Sequence, residues 1–163
     1  MNQYENFHVD DHPLIKHKLS LIREEATGHK IFRELVKEVA ILLAFELTRD
    51  FATRPIKIGT PMASTTGNIF SGTDVVLVPI LRAGLGMVDG LLQMIPNARV
   101  GYVGMERDEE THKPVHYYFK VPKQPENQSF IILDPMLATG GTATATANLS
   151  LIHISEPTRP RLI

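Results

Sequence analysis

The residues best suited to chemistry stand together in Asp134-Pro135-Met136-Leu137-Ala138-Thr139-Gly140-Gly141-Thr142. Two adjacent glycines let the backbone aim its N–H groups at a ligand, Thr139 and Thr142 add hydroxyl donors, and a helix starting where the loop ends contributes its positive pole. Together these make a seat for a phosphate monoester. Asp134 repels phosphate but accepts hydrogen bonds from neutral hydroxyls, as on a ribose. Phosphate donors at one end and a carboxylate at the other fit a sugar phosphate. Taken alone, the segment also reads as an ordinary helix start with a glycine turn and a capping threonine.

A second chemical grouping runs from Met105 to Pro122 and includes Arg107, His112, Lys113, His116, Tyr117, Tyr118 and Lys120. This mixture of cations and aromatics has the composition of a mobile flap that covers an anionic ligand and excludes water. His112 and His116 have the spacing of helical metal ligands, but Pro114 between them argues against a helix, so no zinc site is expected. His12 and His17 are expected on an N-terminal packing or subunit surface. Met87, Met94 and Met105 are expected as core filler.

These groups need elements to hold them. Pro13 suits a first helical turn, and Leu14, Lys18, Leu21 and Ile22 follow at helical spacing. A second helix is expected to start at Thr27 as its cap and to present Ile31, Leu35, Val39 and Leu42 on one face. Ile56-Lys57-Ile58 and Asn68-Ile69-Phe70 read as a hairpin separated by the cluster Ser64 to Gly67. Beyond it Val75–Ile80, Arg99–Val103 and Phe130–Leu133 are apolar runs without alternation, as in a parallel sheet covered on both faces. Helices are expected at Gly84–Met94 and Thr142–Asn148, which gives an α/β architecture. Ligands of such sheets bind outside the carboxyl ends of the strands. Those ends carry Pro79-Ile80-Leu81-Arg82-Ala83-Gly84, Gly104-Met105-Glu106-Arg107 and the loop from Asp134.

The chain of 163 residues has 17 Lys and Arg against 18 Asp and Glu, a net charge of −1, so no general field draws in nucleic acid or an anionic membrane. The absence of cysteine removes disulfides, thiolate zinc sites and cysteine nucleophiles. The longest apolar run, Val39 to Phe45, is far short of the roughly 20 residues of a membrane span. Met1 to Asn6 carry no cation and lead into no apolar core, so no secretory signal is expected. A cytoplasmic protein of one domain is the expectation.

The loop from Asp134 to Thr142 resembles the 5-phosphoribosyl 1-diphosphate loop of the type I phosphoribosyltransferases, and Pro135 in second place resembles the uracil-specific branch. Three further segments resemble the same family. They are His12-Pro13-Leu14-Ile15-Lys16-His17-Lys18-Leu19, Val78-Pro79-Ile80-Leu81-Arg82-Ala83-Gly84-Leu85-Gly86-Met87 and Val103-Gly104-Met105-Glu106-Arg107-Asp108-Glu109-Glu110-Thr111. The resemblance is collinear from about His12 to Asn148. It implies a type I phosphoribosyltransferase fold: a parallel sheet flanked by helices, with a β-hairpin or flap. It also implies that Arg82 and Arg107 contact the diphosphate while Asp134 to Thr142 cradle the ribose 5-phosphate. Guanidinium groups suit this, being forked and permanently charged. From the residues alone, Arg82 also reads as a salt bridge on an exposed turn, and Arg107-Asp108-Glu109-Glu110 as a solvated charged loop.

The implied reaction moves phosphoribosyl from 5-phosphoribosyl 1-diphosphate to N1 of uracil, with magnesium carried by the diphosphate rather than by resident protein ligands. Family members are also known as homo-oligomers, some of them activated by GTP. Readings that share the cradle are a phosphoribosyltransferase for another base and an RNA-binding regulator on the same fold. The family's uracil-recognising Gly-Leu-Gly-Asp-type segment has no counterpart here, since Gly84-Leu85-Gly86 belongs to the diphosphate turn. Residues 149–163 no longer resemble the family, and Leu149 to Arg159 resembles the translated end of a sequencing-library adapter. The expected organisation is therefore a partial phosphoribosyltransferase domain over 1–148 and a foreign tail over 149–163. The chain as it stands is expected to be unstable and inactive.

Overall fold

The computed structural model describes residues 8–70, 75–107, 114–122, 128–137, 139–153 and 161–162. Along them run α1 (Pro13–Arg23), α2 (His29–Leu47), β1 (Thr53–Gly59), β2 (Ser64–Phe70), β3 (Val75–Leu81) and α3 (Leu85–Met94). There follow β4 (Arg99–Val100), β5 (Tyr102–Arg107), β6 (Pro114–Lys120), β7 (Ser129–Leu133), α4 (Gly141–His153) and β8 (Arg161–Leu162).

The main sheet has the order β6-β5-β3-β7-β8, with β4 paired to β3. β3 runs parallel to both β5 and β7, while β5 and β6 are antiparallel. Val75 to Ile80 are all buried, and the two faces of the strand feed different cores. Val75 and Leu77 pack with Ala40 and Ala44 of α2, with Met87, Val88 and Leu91 of α3, and with Ile131 and Leu133 of β7. Val76 and Val78 turn the other way, to Val103, Phe130 and the half-buried Met105, Phe119 and Leu149. Both faces of β3 being apolar is why its sequence shows no alternation.

The two-stranded sheet of β1 and β2 is antiparallel and almost wholly exposed. Its turn is formed by Thr60 to Ala63, where the Thr60 amide donates to the Ala63 carbonyl at 3.0 Å. The expected turn cluster Ser64 to Gly67 instead lies in β2, because β-branched threonines sit well on a pleated surface once Pro61 has reversed the chain.

Thr27 is not the cap of α2. Gly28 takes that place, and the Thr27 hydroxyl donates to the Leu21 carbonyl at 2.6 Å, closing the end of α1 instead. The face that α2 buries is also rotated from the expected one: Leu35, Val39, Ala40 and Ala44 are buried, whereas Ile31 is 58% exposed. Small residues win because α2 crosses α3 closely. A Cβ on Gly90 would lie 2.6 Å from the Lys37 carbonyl oxygen. Met87 is core as expected and Met105 packs at its margin, but Met94 is exposed at the end of α3. His12 has a role that its sequence context did not announce: its Nδ1 accepts from the Leu14 amide at 3.1 Å and caps α1. Among the described residues no helix is long and apolar enough to cross a membrane.

Candidate functional site

The chain leaves β3 through α3 to β5 on one side, then returns past β6 to β7 on the other. The carboxyl ends of β3 and β7 therefore meet where the strand order reverses, the usual place for a ligand in open α/β sheets. Pro79 stands opposite Leu133 and Leu81 opposite Gly104. This register brings the Arg82 turn, the start of the Asp134 loop and the outgoing end of β5 to one edge of the sheet.

Gly84 fixes the Arg82 turn. Its amide donates to the Ile80 carbonyl at 2.9 Å. A Cβ there would clash with the carbonyl oxygen of Leu133 and would lie 2.8 Å from the Ile80 nitrogen. The turn thus rests backbone to backbone on the last residue of β7, with Asp134 immediately following. A Cβ on Gly86 would lie 3.4 Å from Cγ1 of Val36 in α2, with no backbone in its way. The Leu81–Arg82 peptide is cis. The Arg82 side chain is exposed, and among the described residues none forms an ion pair with it.

The loop after β7 makes a small open concavity of about 40 Å³ lined by Asp134, Met136, Leu137, Thr139, Gly140, Gly141, Thr142 and Ala143. One carboxylate oxygen of Asp134 accepts from the Met136 amide at 3.2 Å, which holds the loop's first turn and keeps the half-buried carboxylate at the strand end. The second oxygen adds acceptor capacity for hydroxyls. Gly140 has φ +73°, a left-handed conformation suited to glycine. Its carbonyl accepts from Thr144 at 2.9 Å, so the helical bonding of α4 starts here. The first N–H groups of a helix have no partner one turn back and point outward. With the helix dipole they make the concavity's floor attractive to an anion.

Of the expected site residues, the structure places Asp134, Thr139, Gly140, Gly141 and Thr142 around the concavity, while Arg82 stands on the neighbouring turn and does not line it. Pro135, Met136 and Leu137 are exposed on the same loop. Arg107 ends β5, beyond Gly104 where the pairing with β3 stops, and stands opposite Pro114 of β6; its side chain lies outside the description. Ala138, His112 and Lys113 lie outside the described residues. Of the flap expected over Met105 to Pro122, the described parts are the end of β5 and the strand β6 antiparallel to it, while residues 108–113 lie outside the described residues. The contact of Gly84 with Leu133 was legible only as a glycine in a turn.

The sequence matches the family described as uracil phosphoribosyltransferase over residues 9–154. The chain belongs to this family. It is 59% identical over 138 residues to the uracil phosphoribosyltransferase of Desulfitobacterium hafniense, covering 85% of this chain and 66% of that protein. It is 56% identical over 141 residues to the one of Bacillus velezensis, covering 86% of this chain and 68% of that one. Among solved structures, the AQ2163 protein of Aquifex aeolicus superposes with a TM-score of 0.85 at 36% identity, covering 96% of this chain and 73% of that one. A hypoxanthine-guanine phosphoribosyltransferase of Bacillus anthracis superposes with a TM-score of 0.55 at 15% identity, over 80% of this chain and 66% of that one. That likeness carries the type I phosphoribosyltransferase fold alone.

Proposed function

We propose that this chain carries the sugar-phosphate-binding part of a uracil phosphoribosyltransferase, which joins the phosphoribosyl group of 5-phosphoribosyl 1-diphosphate to N1 of uracil and releases diphosphate. The observation that carries the reading is the seating of the Arg82 turn, through Gly84, on the end of the strand that supplies the Asp134–Thr142 loop. One ligand holding a monoester phosphate and a diphosphate on opposite sides of a ribose spans these two features. The names of the relatives support uracil over another base or an RNA partner.

In this reading the Gly140–Thr142 amides and the hydroxyls of Thr139 and Thr142 hold the 5-phosphate, with Ala138 completing the cradle. Asp134 takes the ribose hydroxyls. Breaking the bond from C1 to the diphosphate oxygen leaves positive charge on the sugar and added negative charge on the departing group, so the site must stabilise charge more than supply a nucleophile. Arg82 and Arg107 meet the diphosphate, and the cradle fixes the ring for attack. Magnesium bound to the diphosphate would neutralise part of the leaving group's charge. The ion would be carried by the diphosphate rather than by resident protein ligands; among the described residues no group of three or more His, Cys, Asp or Glu is placed to hold a metal. No general base is assigned.

The chain spans 66% of the length of its Desulfitobacterium hafniense relative, and the segment that recognises uracil is proposed to belong to the remaining part. The family match runs to residue 154, so the tail expected from residue 149 is proposed to be foreign to the enzyme only beyond that point, and the present chain to be inactive in transfer. Homo-oligomeric assembly, a response to GTP and a cytoplasmic location are proposed for the intact protein on family grounds. Calorimetric titration with the activated sugar and magnesium tests the core of the reading. A chain continued with a relative's C-terminal third should bind it and form uridine monophosphate. Absence of binding by that continued chain overturns the assignment, and full turnover by the present chain overturns its proposed inactivity.

A further inference from the structure

The β5/β6 hairpin is irregular at one point. Tyr118 stands opposite Gly104 and His116 opposite Met105, so Tyr117 is the extra residue of a β-bulge. Bulges bend a strand and re-aim the residues beyond them. Here the bulge sits at the last residue that β5 shares with β3, because Leu81 pairs with Gly104 and the residue after Leu81 is Arg82. Beyond that point Met105, Glu106 and Arg107 pair only with β6. Their path out of the sheet therefore depends on the bulge rather than on the buried strands.

The Tyr117 ring occupies the space that a side chain on Gly104 would take, since a Cβ there would lie 2.5 Å from the ring's Cζ and closer still to Cε2. A glycine inside a strand weakens it and commonly marks a close approach by another group. In this strand the approaching group is the Tyr117 ring, although the residue is 53% exposed. We propose that Tyr117 is a positioning residue: its ring, seated on Gly104, holds the bulge that directs Met105–Arg107 past the Arg82 turn and so sets where the Arg107 backbone stands. The inference uses the proposed ligand only for its consequence, a properly placed second arginine for the diphosphate.

The test uses the 163-residue chain and the variants Tyr117→Ala, Tyr117→Phe, Gly104→Ala and the Gly104→Ala, Tyr117→Ala double. Amide exchange is followed at Met105–Arg107 and Val115–Tyr118, with Leu77 and Val78 of β3 as internal reference, and affinity for 5-phosphoribosyl 1-diphosphate with magnesium is measured by calorimetry. Tyr117→Ala and Gly104→Ala should each speed exchange around the bulge roughly tenfold without changing β3, and weaken binding roughly fivefold. Tyr117→Phe should behave as the parent, and the double variant should be no worse than either single, because both remove the same contact. Parent-like exchange in Tyr117→Ala, additive effects in the double, or a Phe variant as impaired as the Ala variant overturns the proposal. If the parent and the continued chain both give no heat with the sugar, the functional reading fails, and the exchange pattern alone decides the role of Tyr117.

Discussion

Gly140 shows how a single backbone angle can hold a site together. At φ +73° it turns the loop so that α4 begins with its N–H groups facing the concavity, and a Cβ is strained there by about 1–2 kcal/mol. Gly140→Ala should therefore weaken binding of the activated sugar by roughly tenfold, since about 1.4 kcal/mol is one decade of affinity. Calorimetry reads this directly, and a parent-like affinity would remove the glycine from the cradle. Gln128 poses the opposite case. It is only 4% exposed, and among the described residues neither end of its amide has a hydrogen-bond partner. An unsatisfied buried amide costs about 1–3 kcal/mol, so Gln128→Met should raise stability to urea by about 1 kcal/mol. A drop in the midpoint would mean that the amide has a partner after all.

Between elements, the decisive junction is the one from β3 to α3. Gly84→Ala would push a methyl group into the backbone of Leu133 and Ile80, groups that cannot swing aside as a flexible side chain can. Overpacking of this kind costs about 1–3 kcal/mol, and the turn should separate from the end of β7. The expected outcome is a lower urea midpoint together with a loss of sugar binding larger than that of Gly140→Ala. Equal or smaller binding loss would mean that the turn and the loop do not act on one ligand. At the end of α2, Arg49 holds Glu46 through Nε at 2.9 Å and Nη2 at 2.6 Å. The Arg49 hydrogen bond is the largest cause holding the Glu46 carboxyl below its usual value, with the guanidinium charge acting in the same direction. A lowered folded value means a contribution present above the ordinary glutamate range and lost as pH falls through the lowered value. Both side chains are exposed, so the effect is small. Glu46→Gln should therefore lower stability slightly at neutral pH, and the difference from the parent should vanish as pH falls through the lowered Glu46 value, as followed by unfolding monitored by circular dichroism.

At the scale of the whole molecule, the sheet is asymmetric. On one side β3 is covered by β5 and β6, while on the other β7 pairs with β8 only at Ile131 and Ile132. The remaining edge of β7 among the described residues offers backbone groups to any passing strand. A relative's C-terminal third appended after Asn148 should convert a chain that self-associates as its concentration rises into one that elutes as a single species. Size-exclusion chromatography with light scattering checks this. A present chain that stays monodisperse at high concentration would show that the short β8 pairing already protects the edge.

Much of this protein was legible in its residue pattern. The apolar runs without alternation announced buried parallel strands, the glycines after Asp134 announced a turn into a helix, and the collinear motifs announced the family, because each signal is local in sequence. What the pattern misplaced was settled by neighbours distant along the chain. Thr27 serves α1 rather than α2 because the Leu21 carbonyl lies within reach of its hydroxyl. Ser64 to Gly67 form strand because Thr53–Gly59 lies alongside to pair with them. The meeting of Gly84 with Leu133, and of Tyr117 with Gly104, follows from strand order and register, which arise only when separate segments share one core and one set of hydrogen bonds. Residue types therefore determined which chemistry is available, and tertiary packing decided which of those segments stand side by side.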